Sequence, residues 1–439
     1  MKNRAWVMIP SSILLCIAAN TSQLNDHIPG WWIVQVLCGL TALLLPLTAS
    51  RQNGPRLWLL ACGSECLKVF LLTTVLSIAL QILFFIFFRS ILRQWFIGLL
   101  ICIGVLALFF WIGIIFVYCT SIQLGIKWRI IGAICGPFPF INLLALIHIL
   151  NIVAQELRFE CDKKALDRSR RDQSICKTKY PVLLVHGVFF RDTRFFNYWG
   201  RIPQALEENG AEIHYGNHPS AASVAECGTI LAERIRDICQ QTGSKKVNII
   251  AHSKGGLDCR YAIAFCGAAP YIASLTTINT PHRGCKFADY LLEKVPGYMQ
   301  QKIASTYNQA LYNFGEENAD FLSAVWDLTS SRCIQLDAQM PIPEGIFCQS
   351  IGSNLTTASS GKFPLNFSYH LVRHFDGAND GLVGEQSFSW GEKYTYLQAH
   401  GPEGISHGDM IDLNRHNIPD FDVREFYVQL VSDLRCRGL

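Results

Sequence analysis

Three long runs without a single Asp, Glu, Lys or Arg constrain this chain more than any other feature: Trp31 to Ser50, Val69 to Phe88 and Trp95 to Ile126. Each meets or exceeds the roughly 20 residues an α-helix needs to cross the hydrocarbon of a bilayer. A fourth uncharged run, Ile130 to Ala154, is interrupted by Gly132, Gly136, Pro137 and Pro139. It reads either as a kinked span or as a helix that begins only after Phe140. The first apolar stretch, Ala5 to Gln23, follows Lys2 and Arg4 and is broken by Pro10 and two serines. A span, a signal-peptide core and an interfacial helix all remain open for it. The sequence therefore predicts four spans, with a fifth left open. Half of the 439 residues are apolar and 16% are charged, which is oilier than a water-soluble enzyme requires.

From about Glu156 onward the pattern changes. Charges become frequent, Gly and Pro punctuate short apolar runs, and no further run is long enough to span a bilayer. The expected organisation is a membrane region over 1–155, a charged linker over 156–179 and a large α/β domain over 180–439. The linker interleaves both signs and reads as a solvated juxtamembrane helix. With four spans, twelve Lys and Arg fall on the side of the soluble domain and five on the other; with five spans the counts are ten and seven. Both place an integral multi-pass protein with its soluble domain in the cytoplasm. Ten of the 17 cysteines lie in the soluble part, and Cys227, Cys239, Cys259 and Cys266 sit inside helix-like runs. Buried single thiols in a reducing compartment fit that usage better than a disulfide framework. A net charge of +4 with no basic, aromatic-studded patch in this part argues against nucleic acid as a partner. No CxxC or His-rich spacing suggests zinc.

In the soluble part, "KYPVLLVHG" is a short β-rich run ending at His186 and Gly187. "RIPQALEENGAEIHYG" reads as a helix, a Gly stop and a second strand, and "AECGTILAERIRDICQQTG" as another helix. The strand "VNIIA" and a new helical run follow. This alternation predicts a parallel sheet with helices on both faces. Between the last strand and helix stands Ala251-His252-Ser253-Lys254-Gly255, a small-x-Ser-x-Gly nucleophile elbow with alanine in the first small position. The turn is so tight that the residues two before and two after the serine must be small, and the helix N-terminus beneath it lends positive potential to a developing oxyanion. The architecture takes its oxyanion donors from the backbone N–H groups of Lys254 and Val188. A serine hydroxyl needs a base and an acid to orient that base, and in this architecture they follow downstream in the order acid, histidine. Asp376 and Asp380 are candidate acids, and His400 and His407 candidate bases.

Taken together, "LVHG", "YWG" (Tyr198 to Gly200), "IIAHSKGG", "TTINTPHRG", "NDGLV" and "SHGDMI" resemble a bacterial triacylglycerol lipase of the α/β-hydrolase fold, over some 260 residues. The resemblance makes Asp380 of the NDG turn the triad acid and His407 the base. It also implies a calcium ion near the histidine loop, for which Asp376, Asp409 and Asp412 are oxygen donors in the right neighbourhood, short of a full ligand set. No redox or organic cofactor is implied.

Competing readings attach to several of these residues. Asn-Asp-Gly turns commonly exist for backbone geometry alone, and His407 competes with His400 and His416. His252 reads as a packing or supporting residue, because its neighbour position points it away from the serine oxygen. His282 and Arg283 read as shaping the strand end after the nucleophile helix. Residues 286–337 carry helical spacing and read equally as a cap over the serine or as a plain helical insertion. The expected function is a membrane-anchored lipase or esterase acting on lipid acyl esters. An acyltransferase or thioesterase with the same triad, or a non-catalytic membrane scaffold, are the alternatives.

Overall fold

A computed structural model describes residues 5–48, 53–87, 92–136, 138–188, 197–313, 320–362, 365–399 and 404–439. The chain divides into two compact units, Met1–Leu166 and Asp167–Leu439. The boundary falls inside the charged linker.

The first unit is helical: α1 (Ala5–Asn20), α2 (Trp31–Leu44), α3 (Pro55–Phe87), α4 (Leu92–Thr120), α5 (Gly125–Cys135) and α6 (Pro139–Arg170). Four segments are long and apolar enough to cross a membrane, namely Trp31–Thr48, Pro55–Ile86, Leu92–Thr120 and Ile141–Gln173. α1, at 16 residues, falls short of them. The uncharged run after Trp95 is not one helix: it stops at Thr120 and restarts at Gly125, which has φ +61°. The run from Ile130 is split between α5 and α6, because the Gly136-Pro137-Phe138-Pro139 segment cannot continue a helix.

The linker continues α6 to Arg170, and it is less solvated than its charge suggests. Glu156, Glu160 and Lys163 are buried. Glu156 accepts hydrogen bonds from Arg56 Nη1 at 2.6 Å, from Ser121 Oγ at 2.6 Å, and from the N–H groups of Ile122 and Gln123 at 3.1 and 3.2 Å. One carboxylate thus satisfies the turn between α4 and α5 and ties it to α3 and α6.

The second unit is a six-stranded, all-parallel sheet: β1 (Val182–Val185), β2 (Ile213–Tyr215), β3 (Val247–His252), β4 (Ile272–Ile278), β5 (Phe347–Ser353) and β6 (Lys393–Leu397), in the order β2-β1-β3-β4-β5-β6. Its helices are α7 (Ile202–Glu208), α8 (Val224–Thr242), α9 (Lys254–Phe265), α10 (Lys286–Lys294), α11 (Gly297–Asn313), α12 (Phe321–Trp326), α13 (Ser330–Gln339), α14 (Leu365–Asp376) and α15 (Val423–Cys436). β1, β3 and β4 are buried throughout, as strands covered on both faces must be. Alternate residues feed two cores. Val182, Leu184, Ile250, Ile278 and Ile351 pack with Trp199, Tyr427 and Val431, while Leu183, Val185, Ile249, Ala251 and Leu275 pack with Leu231, Ile235 and Cys259. Among the described residues every cysteine is a free thiol.

The insertion over 286–337 is the helical run α10–α13, and its parts behave differently. Cys333 and Leu336 of α13, with Met340, pack against Val224 and Leu257, which is a plain helical insertion on the α/β body. α11 and α12 instead leave Tyr298, Met299, Ile303, Tyr312 and Trp326 exposed, as an apolar cap surface would.

Candidate active site

The elbow forms where β3 runs into α9. Ser253 has φ +56° and ψ −133°, a conformation that is strained for a residue with a Cβ. Its backbone is fixed from both sides: the Ser253 N–H donates to Ile278 O at 2.9 Å, and Thr280 Oγ1 donates to Ser253 O at 2.8 Å. The small residues around it are small for a measurable reason. A Cβ on Gly255 would lie 2.4 Å from His186 O, and one on Gly187 would lie 2.7 Å from Ser253 Cβ. Ala251 is fully buried in β3, where its methyl group is accommodated. The β1 turn carrying Val188 is therefore pressed directly against the elbow. Lys254 opens α9 directly after the serine, and Val188 follows Gly187 in that turn.

Asp380 and His407 come together. His407 Nδ1 lies 2.6 Å from Asp380 Oδ2, and the His407 N–H donates to Asp380 O at 2.9 Å. Asp380 is 0% exposed. Its Oδ1 accepts from the N–H groups of Leu382 and Val383 at 2.9 and 2.8 Å, and its Oδ2 also accepts from Asn279 Nδ2 at 2.6 Å. Four donors converge on this one buried carboxylate and hold it in place. With Nδ1–H committed to the carboxylate, the neutral His407 ring carries its lone pair on Nε2. That ring packs 4.4 Å from the ring of His252, which directly precedes the serine. The Ser253 hydroxyl itself makes no hydrogen bond among the described residues. Such a bond is commonly long in hydrolases without substrate.

His252 is a support. Tyr198 Oη accepts from the Gly187 N–H at 3.1 Å and is hydrogen-bonded to His252 Nδ1 at 2.8 Å. Burial, with the His407 ring adding to it, pushes the His252 imidazole well below its ordinary pKa and keeps it neutral. His186 is buried at the end of β1, with Nδ1 at 2.9 Å from Gly187 O and Nε2 at 3.1 Å from His218 O. His282, read as shaping the strand end, is hydrogen-bonded to Arg260 and to Thr277 of β4 and stacks on Trp390. His400 lies outside the described residues.

The three carboxylates considered for calcium do not form one donor set. Both oxygens of Asp412 are taken by the Arg201 guanidinium at 2.7 Å. Asp409 Oδ2 accepts from the N–H and hydroxyl of Ser406, and Asp376 ends α14 facing the N–H of Lys286. Among the described residues no group of three His, Cys, Asp or Glu could hold a metal ion. Asp409 and Asp412 instead fasten the turn that presents His407.

Sequence reasoning missed Asn279, which stands in "TTINTPHRG" at φ +47° and reaches from the end of β4 to Asp380. A non-glycine residue with positive φ leaves no mark in sequence beyond its tolerance by Asn. It also missed Arg201, just beyond the quoted "YWG", and α14, whose Leu365, Tyr369 and Val372 do recur at helical spacing.

The sequence profile of the palmitoyl protein thioesterase family matches residues 181–323. A triacylglycerol lipase of Vibrio cholerae is 33% identical over 293 residues, covering 61% of this chain and 91% of that one. One from Pseudarthrobacter phenanthrenivorans is 35% identical over 178 residues, covering 37% of this chain and 54% of that one, so this chain spans about half of that relative's length. The crystal structure of Staphylococcus hyicus lipase covers 60% of this chain and 97% of its own, at 17% identity and a TM-score of 0.46. The chain belongs to the triacylglycerol lipase family of α/β-hydrolases, with helices that could cross a membrane preceding the hydrolase unit.

Proposed function

We propose that this chain is a membrane-anchored serine ester hydrolase that cleaves acyl esters of lipids through an acyl-enzyme on Ser253. The observation that carries the reading is the buried Asp380–His407 pair at 2.6 Å, its ring packed beside a serine held at positive φ. Ser253 Oγ attacks the ester carbonyl carbon and gives its proton to His407 Nε2, while Asp380 holds Nδ1–H and stabilises the imidazolium. The N–H groups of Val188 and Lys254 bind the tetrahedral oxyanion. Collapse expels the alcohol, which takes the proton from His407. Water, deprotonated by the same ring, then releases the acid and restores the serine. No step requires a metal or an organic cofactor.

The helices of the first unit support a bilayer as partner and a lipid as substrate, since an anchored hydrolase meets acyl glycerols without dissolving them. The excess of Lys and Arg on one side of the spans supports a cytoplasmic hydrolase unit. A fluorophosphonate probe tests these points together. Ser253 should be labelled in the native chain and not in Ser253→Ala, and in opened rather than intact cells. Absence of label at Ser253 would leave the scaffold reading standing. The thioesterase profile over 181–323 favours a second reading, hydrolysis of acyl thioesters with the same triad. Relative turnover of glycerol esters of graded chain length and of acyl thioesters separates the two.

A further inference from the structure

Beneath the elbow lies a buried charged cluster that the triad does not use. Lys254, whose N–H faces the oxyanion position, is 1% exposed and sends its side chain inward. Its Nζ donates to Asp258 Oδ1 at 2.7 Å, one turn along α9, and lies 3.4 Å from Cys227 Sγ. The other oxygen of Asp258 is 3.7 Å from His218 Nε2. His218 in turn holds the β1 turn: its carbonyl meets His186 Nε2 at 3.1 Å, and the two imidazoles stack at 4.0 Å and 11°. His186 is two residues before Val188. One carboxylate therefore bonds Lys254 directly and lies beside His218, which contacts His186 before the β1 turn.

Stability alone does not account for this arrangement. Removing two charges from water costs several kcal/mol per ion, and a well-packed apolar pair of similar volume is commonly at least as stable. Burial works against both partners. It pushes the Asp258 carboxyl up to about 7 despite the adjacent ammonium, and it pulls the Lys254 ammonium down, an effect that Asp258 and Cys227 more than offset. What a paired charge supplies and an apolar contact does not is a directed bond of fixed length. Here that bond stiffens the first turn of α9, where a shift of about 1 Å in the donor can cost about a hundredfold in rate.

Resting on the hydrolase reading above, we propose that Asp258 is a positioning residue of the oxyanion site: its buried carboxylate holds Lys254 and His218 so that the Lys254 and Val188 N–H groups keep their spacing. Asp258 touches no substrate and acts through Lys254 and the β1 turn. Its loss should therefore weaken transition-state binding while leaving ground-state binding alone.

The test uses the full chain in detergent, with active sites counted by fluorophosphonate labelling so that misfolded protein drops out of the rate. Lys254→Met keeps the backbone N–H and the buried volume. Asp258→Asn keeps the shape and removes the charge. In both, kcat per labelled site should fall about ten- to a hundredfold with KM within about twofold. The double variant Lys254→Met/Asp258→Leu leaves neither charge buried, so it carries the test if Asp258→Asn fails to fold. It should be no slower than the worse single variant, because the pair acts as one unit. A merely structural role predicts a lower Tm with kcat per labelled site unchanged, and that result overturns the proposal. So does a rise in KM at constant kcat. If the native chain neither labels nor turns over, the hydrolase reading fails and this one with it; native turnover with unaffected variants sinks this one alone.

Discussion

Asp380→Asn perturbs the site at its most constrained atom. Both carboxylate oxygens of Asp380 meet only donors: Oδ1 faces the N–H groups of Leu382 and Val383, and Oδ2 faces His407 Nδ1 and Asn279 Nδ2. An amide must turn its NH2 toward one of these pairs. If it faces Oδ1's partners, three donors collide in a buried space. If it takes the Oδ2 position, it forces His407 Nδ1 to become the acceptor, so the proton moves to Nε2 and the ring can no longer act as a base. The second orientation relieves the backbone donors and is the one expected. The rate should then fall about ten-thousandfold, which is about 5.4 kcal/mol of transition-state stabilisation at about 1.36 kcal/mol per factor of ten. Leaving Asn279 Nδ2 facing a donor adds a stability cost of about 1–3 kcal/mol, seen as a Tm lower by roughly 2–4 °C per kcal/mol for a domain of this size. Hydrolysis of a chromogenic ester, corrected for the folded fraction by thermal melting, measures both. The double variant Asp380→Asn/Asn279→Asp restores a donor–acceptor pair between the two side chains, so stability should recover while the rate does not. Turnover of Asp380→Asn within tenfold of the native chain would refute the assignment of the acid.

Other outcomes follow from the same geometry. Ser253→Ala and His407→Ala should each abolish hydrolysis while thermal melting shows a folded chain; residual turnover above the uncatalysed rate in either would point to another nucleophile or base. Gly255→Ala places a Cβ 2.4 Å from His186 O, a backbone atom that cannot yield cheaply, so stability should drop by about 1–3 kcal/mol with a parallel loss of kcat as the oxyanion turn is pushed away. His252 and His282 are both held well below the ordinary value of 6.5 by burial, with neighbouring charged groups adding to it at His282. The folded chain keeps these rings neutral while the unfolded chain protonates them. Their contribution to stability is therefore complete above about pH 6.5 and is lost progressively as the pH falls below it. Melting curves should show Tm falling between about pH 7 and pH 5, and less steeply in His252→Gln; an unchanged slope would remove His252 from the explanation.

Local patterns carried much of this into the sequence. The uncharged runs show as long apolar helices because a bilayer imposes length and composition directly. Strand–helix alternation and a serine flanked by small residues point to the elbow because its steric demands fall on neighbouring positions, such as Gly255 against His186 O. Interactions between distant segments were less visible. Asn279 reaches Asp380 across 101 residues, and Arg201 reaches Asp412 across 211. Neither separation has a period, and both residue types are ordinary on a surface. The linker misled for a similar reason. Glu156 looks solvated beside other charges, yet it is buried because Arg56, Ser121 and two backbone N–H groups converge on it from elsewhere in the chain. The resemblance offered Asp409 and Asp412 as calcium donors, and nothing local in the sequence reveals that Ser406 and Arg201 bond them.

The most direct measurement is a high-resolution structure of the full chain after reaction with a phosphonate ester. The expected adduct has a covalent bond from Ser253 Oγ to phosphorus, a phosphoryl oxygen within hydrogen-bond reach of the Val188 and Lys254 N–H groups, and His407 Nε2 facing the leaving-group side with Nδ1 still on Asp380. Phosphorus attached to any other residue, or an adduct whose oxygen points away from those two N–H groups, would contradict it.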